Sequence, residues 1–111
     1  MYPDPRRPER LVWRYLLTDR ITGPPSRVWR VAELVDDLRA AGFALDDAPS
    51  RMISNLLRAE VARGRVVRVG WGRYGPGTIP GSTRRRIRNR AGAARAAVAA
   101  AEMTDALRSA E

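Results

Sequence analysis

SRMISNLLRAEVARGRVVRVGWGRYGPG, residues 50–77, decides how this chain folds. In its first half Ile53, Leu56, Leu57, Glu60 and Val61 recur at the spacing of one helix face, and all but Glu60 are apolar. Ser50, Arg51, Ser54, Asn55 and Arg58 are polar and fall on the other side. Gly64 stops the helix. Arg65-Val66-Val67-Arg68-Val69 is then β-branched and alternating, as a strand is, Gly70-Trp71-Gly72-Arg73 is a turn, and Tyr74 opens a return strand. Pro76 and Pro80 suit an edge, because proline has no N–H for a central ladder.

Upstream, Val31, Leu34, Val35 and Leu38 place a helix from Val31 or Ala32 to Ala41, with Gly42 as its stop. Phe43 and Leu45 pin the linker to the core, Asp47 caps the next helix and Pro49 sits in its first turn. Before them SRVWRV, residues 26–31, alternates basic with apolar residues as a short half-buried strand does. Leu11, Val12, Tyr15 and Leu16 recur at helical spacing from Pro8 to about Ile21, and Trp13 and Leu17 widen that stripe enough to bury the helix. Trp13, Tyr15 and Trp29 are assigned to the core. Residues 1–8 hold three prolines and three charges and read as an extended, flexible arm.

Downstream the composition changes. TRRRIRNR puts Arg84, Arg85, Arg86, Arg88 and Arg90 within one short run, and an alanine-rich stretch of high helix propensity follows. One helix over residues 82–111 is expected, with a break or kink at Gly92. Arginines at a helix N-terminus, and the like pairs Arg84/Arg88 and Arg86/Arg90, each destabilise the isolated helix by a few tenths of a kcal/mol, roughly, so an anion is expected to compensate them. The far half offers a thin stripe of Ala96, Ala99, Ala100, Met103 and Leu107, with Val98 and Ala101 nearby. Such a stripe suits docking on the domain, pairing with a second copy, or exposure to solvent.

At 111 residues the chain has room for one ordinary domain with tails. All 21 basic residues are arginine, and the net charge is +9, a balance that favours a polyanionic partner. Residues 27–49 carry three arginines against five acids, whereas residues 50–81 carry six against one. A supporting acidic helix is thus separated from a basic helix and hairpin. With no cysteine or histidine, disulfides, thiolate nucleophiles, imidazole bases and the usual zinc sites are unavailable, and no metal or cofactor is expected. Asp36-Asp37 and Asp46-Asp47 carry little weight as acid–base pairs, because neighbours on a helix point in different directions and the second two lie near a helix cap. The longest low-polarity run, residues 91–101, is mostly alanine and interrupted by Arg95, so no membrane span is expected; a cytoplasmic, nucleoid-associated location is.

Strand, helix, helix and glycine-rimmed basic hairpin, in that order over residues 27–79, resemble the winged helix-turn-helix superfamily of bacterial and phage DNA-binding proteins. The resemblance is carried by Leu56-Leu57, Gly64, Val66, Val69, Gly72 and Tyr74, at the places of helix core, helix stop, wing strand, wing-tip glycine and inward aromatic. It implies a mostly helical α+β fold: a winged helix-turn-helix domain over residues 9–81, its own N-terminal helix included, then a basic C-terminal helix over residues 82–111. The linker over residues 42–48 is longer than the tight turn of the smallest members.

The resemblance further implies non-enzymatic binding of double-stranded DNA by a transcription regulator or accessory nucleoprotein factor. Ser50, Arg51, Ser54, Asn55 and Arg58 would then enter the major groove, and Arg65, Arg68, Trp71 and Arg73 would form the wing contacts on backbone or minor groove. Arg84, Arg85, Arg86, Arg88 and Arg90 would add phosphate contacts. Trp71, between two glycines, either stands exposed or folds back over the hairpin or helix. The alternative is a winged helix that docks on RNA or an acidic protein. If the C-terminal helix makes a homodimer, DNA half-sites should lie about one turn, roughly 34 Å, apart.

Overall fold

The computed structural model describes residues 3–110; Met1, Tyr2 and Glu111, at the ends of the expected arm and C-terminal helix, lie outside them. The order is α1 Arg10–Thr22, β1 Trp29–Arg30, α2 Val31–Ala40, α3 Pro49–Ala62, β2 Val66–Gly70, β3 Arg73–Pro76 and α4 Gly81–Ser109. The fold is α+β and mostly helical, with one antiparallel three-stranded sheet in the order β1-β3-β2. No helix among the described residues is long and apolar enough to cross a membrane.

α1 is the central helix. Trp13, Tyr15, Leu16, Leu17, Thr18, Ile21 and Thr22 are all buried, so it is enclosed on more than one side. Full burial of each Leu or Ile contributes about 1.5–3 kcal/mol, which makes α1 the main apolar anchor. Trp13 packs against Phe43 at 5.5 Å between ring centroids, holding the α2–α3 linker. Helix α1 begins at Arg10, two residues after Pro8.

Helix α2 shows its apolar side, Val31, Leu34, Val35 and Leu38, to the core. Glu33 reaches back 2.9 Å to accept the Arg30 N–H at the helix start. That bond, with the Arg27 side chain, holds the Glu33 carboxyl below its ordinary range. Gly42 ends the helix at a φ of +99°, in the left-handed region that favours glycine. Asp47 does not cap α3. The helix starts at Pro49, and it is Asp46 that accepts the Ala48 N–H at 2.9 Å.

The N-terminal segment, expected to be extended, instead makes a turn. Arg7 N–H donates to the Asp4 carbonyl, and Ala44 N–H donates to the Arg6 carbonyl at 2.9 Å, tying the segment to the α2–α3 linker. The strand expected over residues 26–31 shrinks to the two residues of β1, where Trp29 faces Tyr74 and Arg30 faces Arg73. Because β1 is so short, Pro76 at the end of central β3 needs no partner on that side. Pro80 is not in the sheet; it precedes the first residue of α4.

Helix α4 runs unbroken through Gly92. Its buried stripe is Ile87, Ala91 and Val98, with Ala94 half-buried, while Met103 and Leu107 of the expected stripe are exposed. Alanine occurs all around this helix, so it does not set the phase; the larger Ile87 and Val98, three turns apart, do. Arg95 and Arg20 both pair with Asp37, at 3.1 and 2.7 Å, and Arg6 pairs with Asp105 at 2.6 Å.

Glu60 is wholly buried and is the polar residue on the inward face of α3. Thr18 donates to it at 2.6 Å, Arg14 at 3.0 and 3.2 Å, and Arg65 at 3.3 Å. One carboxylate therefore joins α3 to α1 and to the start of β2. Glu60→Ala strands two largely buried guanidinium groups, so unfolding in urea should show a loss of about 3–5 kcal/mol. A loss below about 1 kcal/mol would mean that this joint is dispensable.

Candidate nucleic-acid interface

Rotation of α3 is set by Ile53, Leu57 and Glu60, all wholly buried. At about 100° per residue, Arg51 and Asn55 then fall nearest the middle of the exposed face, with Arg58, Ser54 and Ser50 successively toward the edge on one side. Arg51 and Arg58 are exposed and take part in no ion pair among the described residues. No side chain caps α3, so the first-turn N–H groups of Ser50 and Arg51 are also free to meet an anion.

The hairpin supplies a second wall. β2 and β3 pair Val66 with Pro76, Val67 with Gly75, Arg68 with Tyr74 and Gly70 with Arg73, leaving Val69 as a bulge. Trp71-Gly72 is the link, with Gly72 at a φ of +61°. The Gly72 carbonyl accepts the Val31 N–H at 2.9 Å, which seats the hairpin tip against the start of α2. The tip is thereby fixed relative to the helices.

Between this tip and α3 lies an open groove of about 510 Å³. Ser50, Ser54 and Arg58 line one side, Arg68, Trp71 and Gly72 the other, and Tyr74 the floor. Trp71 is 92% exposed, so it stands out rather than folding back over the hairpin. The Arg68 guanidinium lies 5.2 Å from its ring centroid, a cation–π contact that leaves the ring available.

Of the residues singled out on α3 and the hairpin, Arg51, Asn55, Arg65 and Arg73 do not line the groove, although Arg51 stands exposed beside it on α3. Arg65 turns inward to Glu60 and is largely buried, so its charge is already matched within the fold. Arg73 alternates with buried Tyr74 and therefore sits on the outer face of the sheet, opposite Arg30. That face also shows Val28, Val67 and Val69, each about half exposed. Asn55, exposed on the side of Arg51 away from Arg58, lines a depression of about 400 Å³ that it shares with Arg7 and Arg10 of the N-terminal segment.

Arg7 and Arg10 are the residues that sequence reasoning missed. Their charge was visible, but nothing local tells that the segment folds back beside α3; the Arg6–Ala44 backbone bond decides it. The exposed face of α3 is thus flanked on one side by the hairpin tip and on the other by two arginines.

Arg84, Arg85 and Arg88, with Asn89 and Gly81, line a separate depression of about 400 Å³ on α4. Arg90 pairs with Glu9 at 3.4 Å, and Arg86 is exposed. Helix α1 stands between this cluster and α3. Arg14 and Thr18 meet Glu60 of α3, whereas Tyr15 packs with Ile87 of α4 and Val12 shares a groove with Ala94 and Ala97. Half-buried Asp19, on the α4 side, has its carboxyl raised by burial, an effect that Arg95 and Arg88 oppose.

Among the described residues no three His, Cys, Asp or Glu side chains gather in a way that could hold a metal ion. Of the three tryptophans, Trp13 and Trp29 are buried and Trp71 is not. Trp71→Ala should remove most of the acrylamide-quenchable fluorescence and change folding stability by no more than about 0.5 kcal/mol. Retained quenching would show that the tip does not stand free.

Comparison with protein-family models, curated proteins and solved structures yields no match to this chain.

Proposed function

We propose that this chain is a non-enzymatic, winged-helix DNA-binding protein that acts in transcription control or as an accessory nucleoprotein factor. The observation that carries the reading is the groove: an uncapped helix with two unpaired exposed arginines runs beside a hairpin whose tip shows Arg68 and a bare tryptophan. In this reading α3 enters the major groove and the β2–β3 hairpin is the wing. The three-stranded sheet beside α2 and α3 is compatible with that fold.

Each part then has a distinct role. Arg51 and Arg58 reach phosphates or guanine edges, where a planar fork can make two parallel hydrogen bonds. Ser50, Ser54 and the free N–H groups of the first turn of α3 grip the backbone. Trp71 lies along a sugar edge or wedges into the minor groove, as apolar side chains of minor-groove binders do. Arg7 and Arg10 extend the phosphate track past Asn55. Base discrimination is left to Arg51, Arg58 and Asn55, and most of the affinity to charge neutralisation.

The framework arginines support this division. Arg6, Arg7, Arg14, Arg20, Arg27, Arg65, Arg90 and Arg95 pair with carboxylates, the Arg7–Asp4 pair being exposed and long at 3.9 Å, while Arg51, Arg58 and Arg68 have no such partner among the described residues. Cations left unmatched on one rigid face raise the local potential and favour a polyanion.

Duplex binding should be detectable at low salt and weaken steeply as salt rises. Arg51→Ala with Arg58→Ala should lower duplex affinity at the α3 face about 10- to 100-fold and reduce its salt slope by about 2. Absence of duplex binding at low salt would defeat the proposal. Binding confined to structured RNA would move the same surface to the RNA reading.

A further inference from the structure

We propose a second polyanion-binding face on α4, built from Arg84, Arg85, Arg88 and Asn89, that takes the phosphate backbone of a second duplex and so lets one chain bridge two DNA segments. This rests on the duplex-binding reading of α3, and it assigns the α4 cluster a ligand of its own.

The first support is placement. Ile87, Ala91 and Val98 turn one side of α4 toward the core, so Arg85 and Asn89 face the opposite way. Arg51 and Arg58 face away from α1 on the other side of the molecule, since the inward residues of α3 include Glu60, held by Arg14 and Thr18 of α1. A straight duplex lying on α3 and the wing therefore does not reach Arg85. The two basic faces are separate sites.

The second support is charge. Of the carboxylates near α4, Glu9 takes Arg90, Asp37 takes Arg95 and Arg20, and Asp105 takes Arg6, while half-buried Asp19 acts on Arg88 only from beyond ion-pair distance. Arg84, Arg85, Arg86 and Arg88 have no ion pair among the described residues. They repel one another in the first turns of the helix, where the dipole is also positive. An external anion removes both penalties.

The shape of the cluster narrows the partner. Arg84/Arg88 and Arg85/Asn89 form two adjacent rows, each rising about 6 Å along the helix, over a shallow depression. Forked donors in two rows suit successive phosphates of one strand. A lipid surface is a poorer fit, because the outward residues next to the cluster, Gly92 and Ala96, are small, and the exposed Met103 and Leu107 on this side stand about 20 Å beyond Asn89 along the helix.

The test uses the full chain and short duplexes of random sequence. Analytical ultracentrifugation should find two duplexes per chain, and chains on bead-bound duplex should capture a second, labelled duplex. Arg84→Ala with Arg85→Ala and Arg88→Ala should leave one duplex per chain and cut capture by at least about tenfold. Alanine has the highest helix propensity, so the variant should keep its far-UV circular dichroism and Tm.

Wild-type protein that binds duplex but saturates at one per chain would overturn the second face and leave the α3 reading standing. So would undiminished capture by the triple variant, which would assign bridging to self-association. Loss of binding to vesicles rich in anionic lipid, with duplex stoichiometry unchanged by the three substitutions, would assign the cluster to a membrane surface instead. No duplex binding by the wild-type chain at low salt would remove the α3 reading itself.

Discussion

Glu60 is the constraint on which the arrangement depends. A carboxylate with no exposed surface must be matched by donors, and here Thr18, Arg14 and Arg65 supply them. These donors come from α1 and from the residue before β2, so the rotation of α3 and the departure of the hairpin are set together. If α3 turned by one residue, Glu60 would leave its partners and Arg51 and Arg58 would leave their places on the exposed face. The same interaction takes Arg65 out of the exposed set.

Close backbone approach completes that geometry. Gly77 N–H donates to the Arg65 carbonyl and Thr78 N–H to the Gly64 carbonyl, each at 2.9 Å, so the chain leaving β3 returns to the residue where α3 ended. A Cβ on Gly77 would run into the carbonyl groups of Gly64 and Arg65, which is why glycine stands there. The strand pair is thus clamped at its base here and at its tip by the Gly72–Val31 bond. What results is a groove with rigid walls, and rigid walls lower the ordering cost of binding a stiff ligand.

The helices, their apolar sides and the hairpin were legible because period and punctuation are local. Ile53, Leu56 and Leu57 mark the inward side of α3, and the glycines at 42, 64 and 72 all adopt positive φ at helix or turn ends. Helix α4 was legible as a helix but not in phase, because alanine on every side carries no directional signal. Asp47 stands one residue before the N-cap position, which alanine occupies, and no side chain caps α3, so the expected cap fails in mechanism as well as in place.

Sequence alone determined which residues are charged, which apolar residues of α1, α2 and α3 turn inward and which glycines end helices and turns, since these follow from side-chain chemistry and spacing along the chain. Tertiary structure decided how the charges are shared out. Arg65 and Arg68 are three residues apart on one basic segment, yet one neutralises a buried acid and the other lines an open groove. Arg10 and Asn55 are distant in sequence, yet line one depression. The physical reason is that pairing between charges depends on through-space distance, which falls steeply in effect beyond a few ångströms and is set by packing rather than by order along the chain. On that same ground α1, an apolar helix, separates one long basic sequence into two faces.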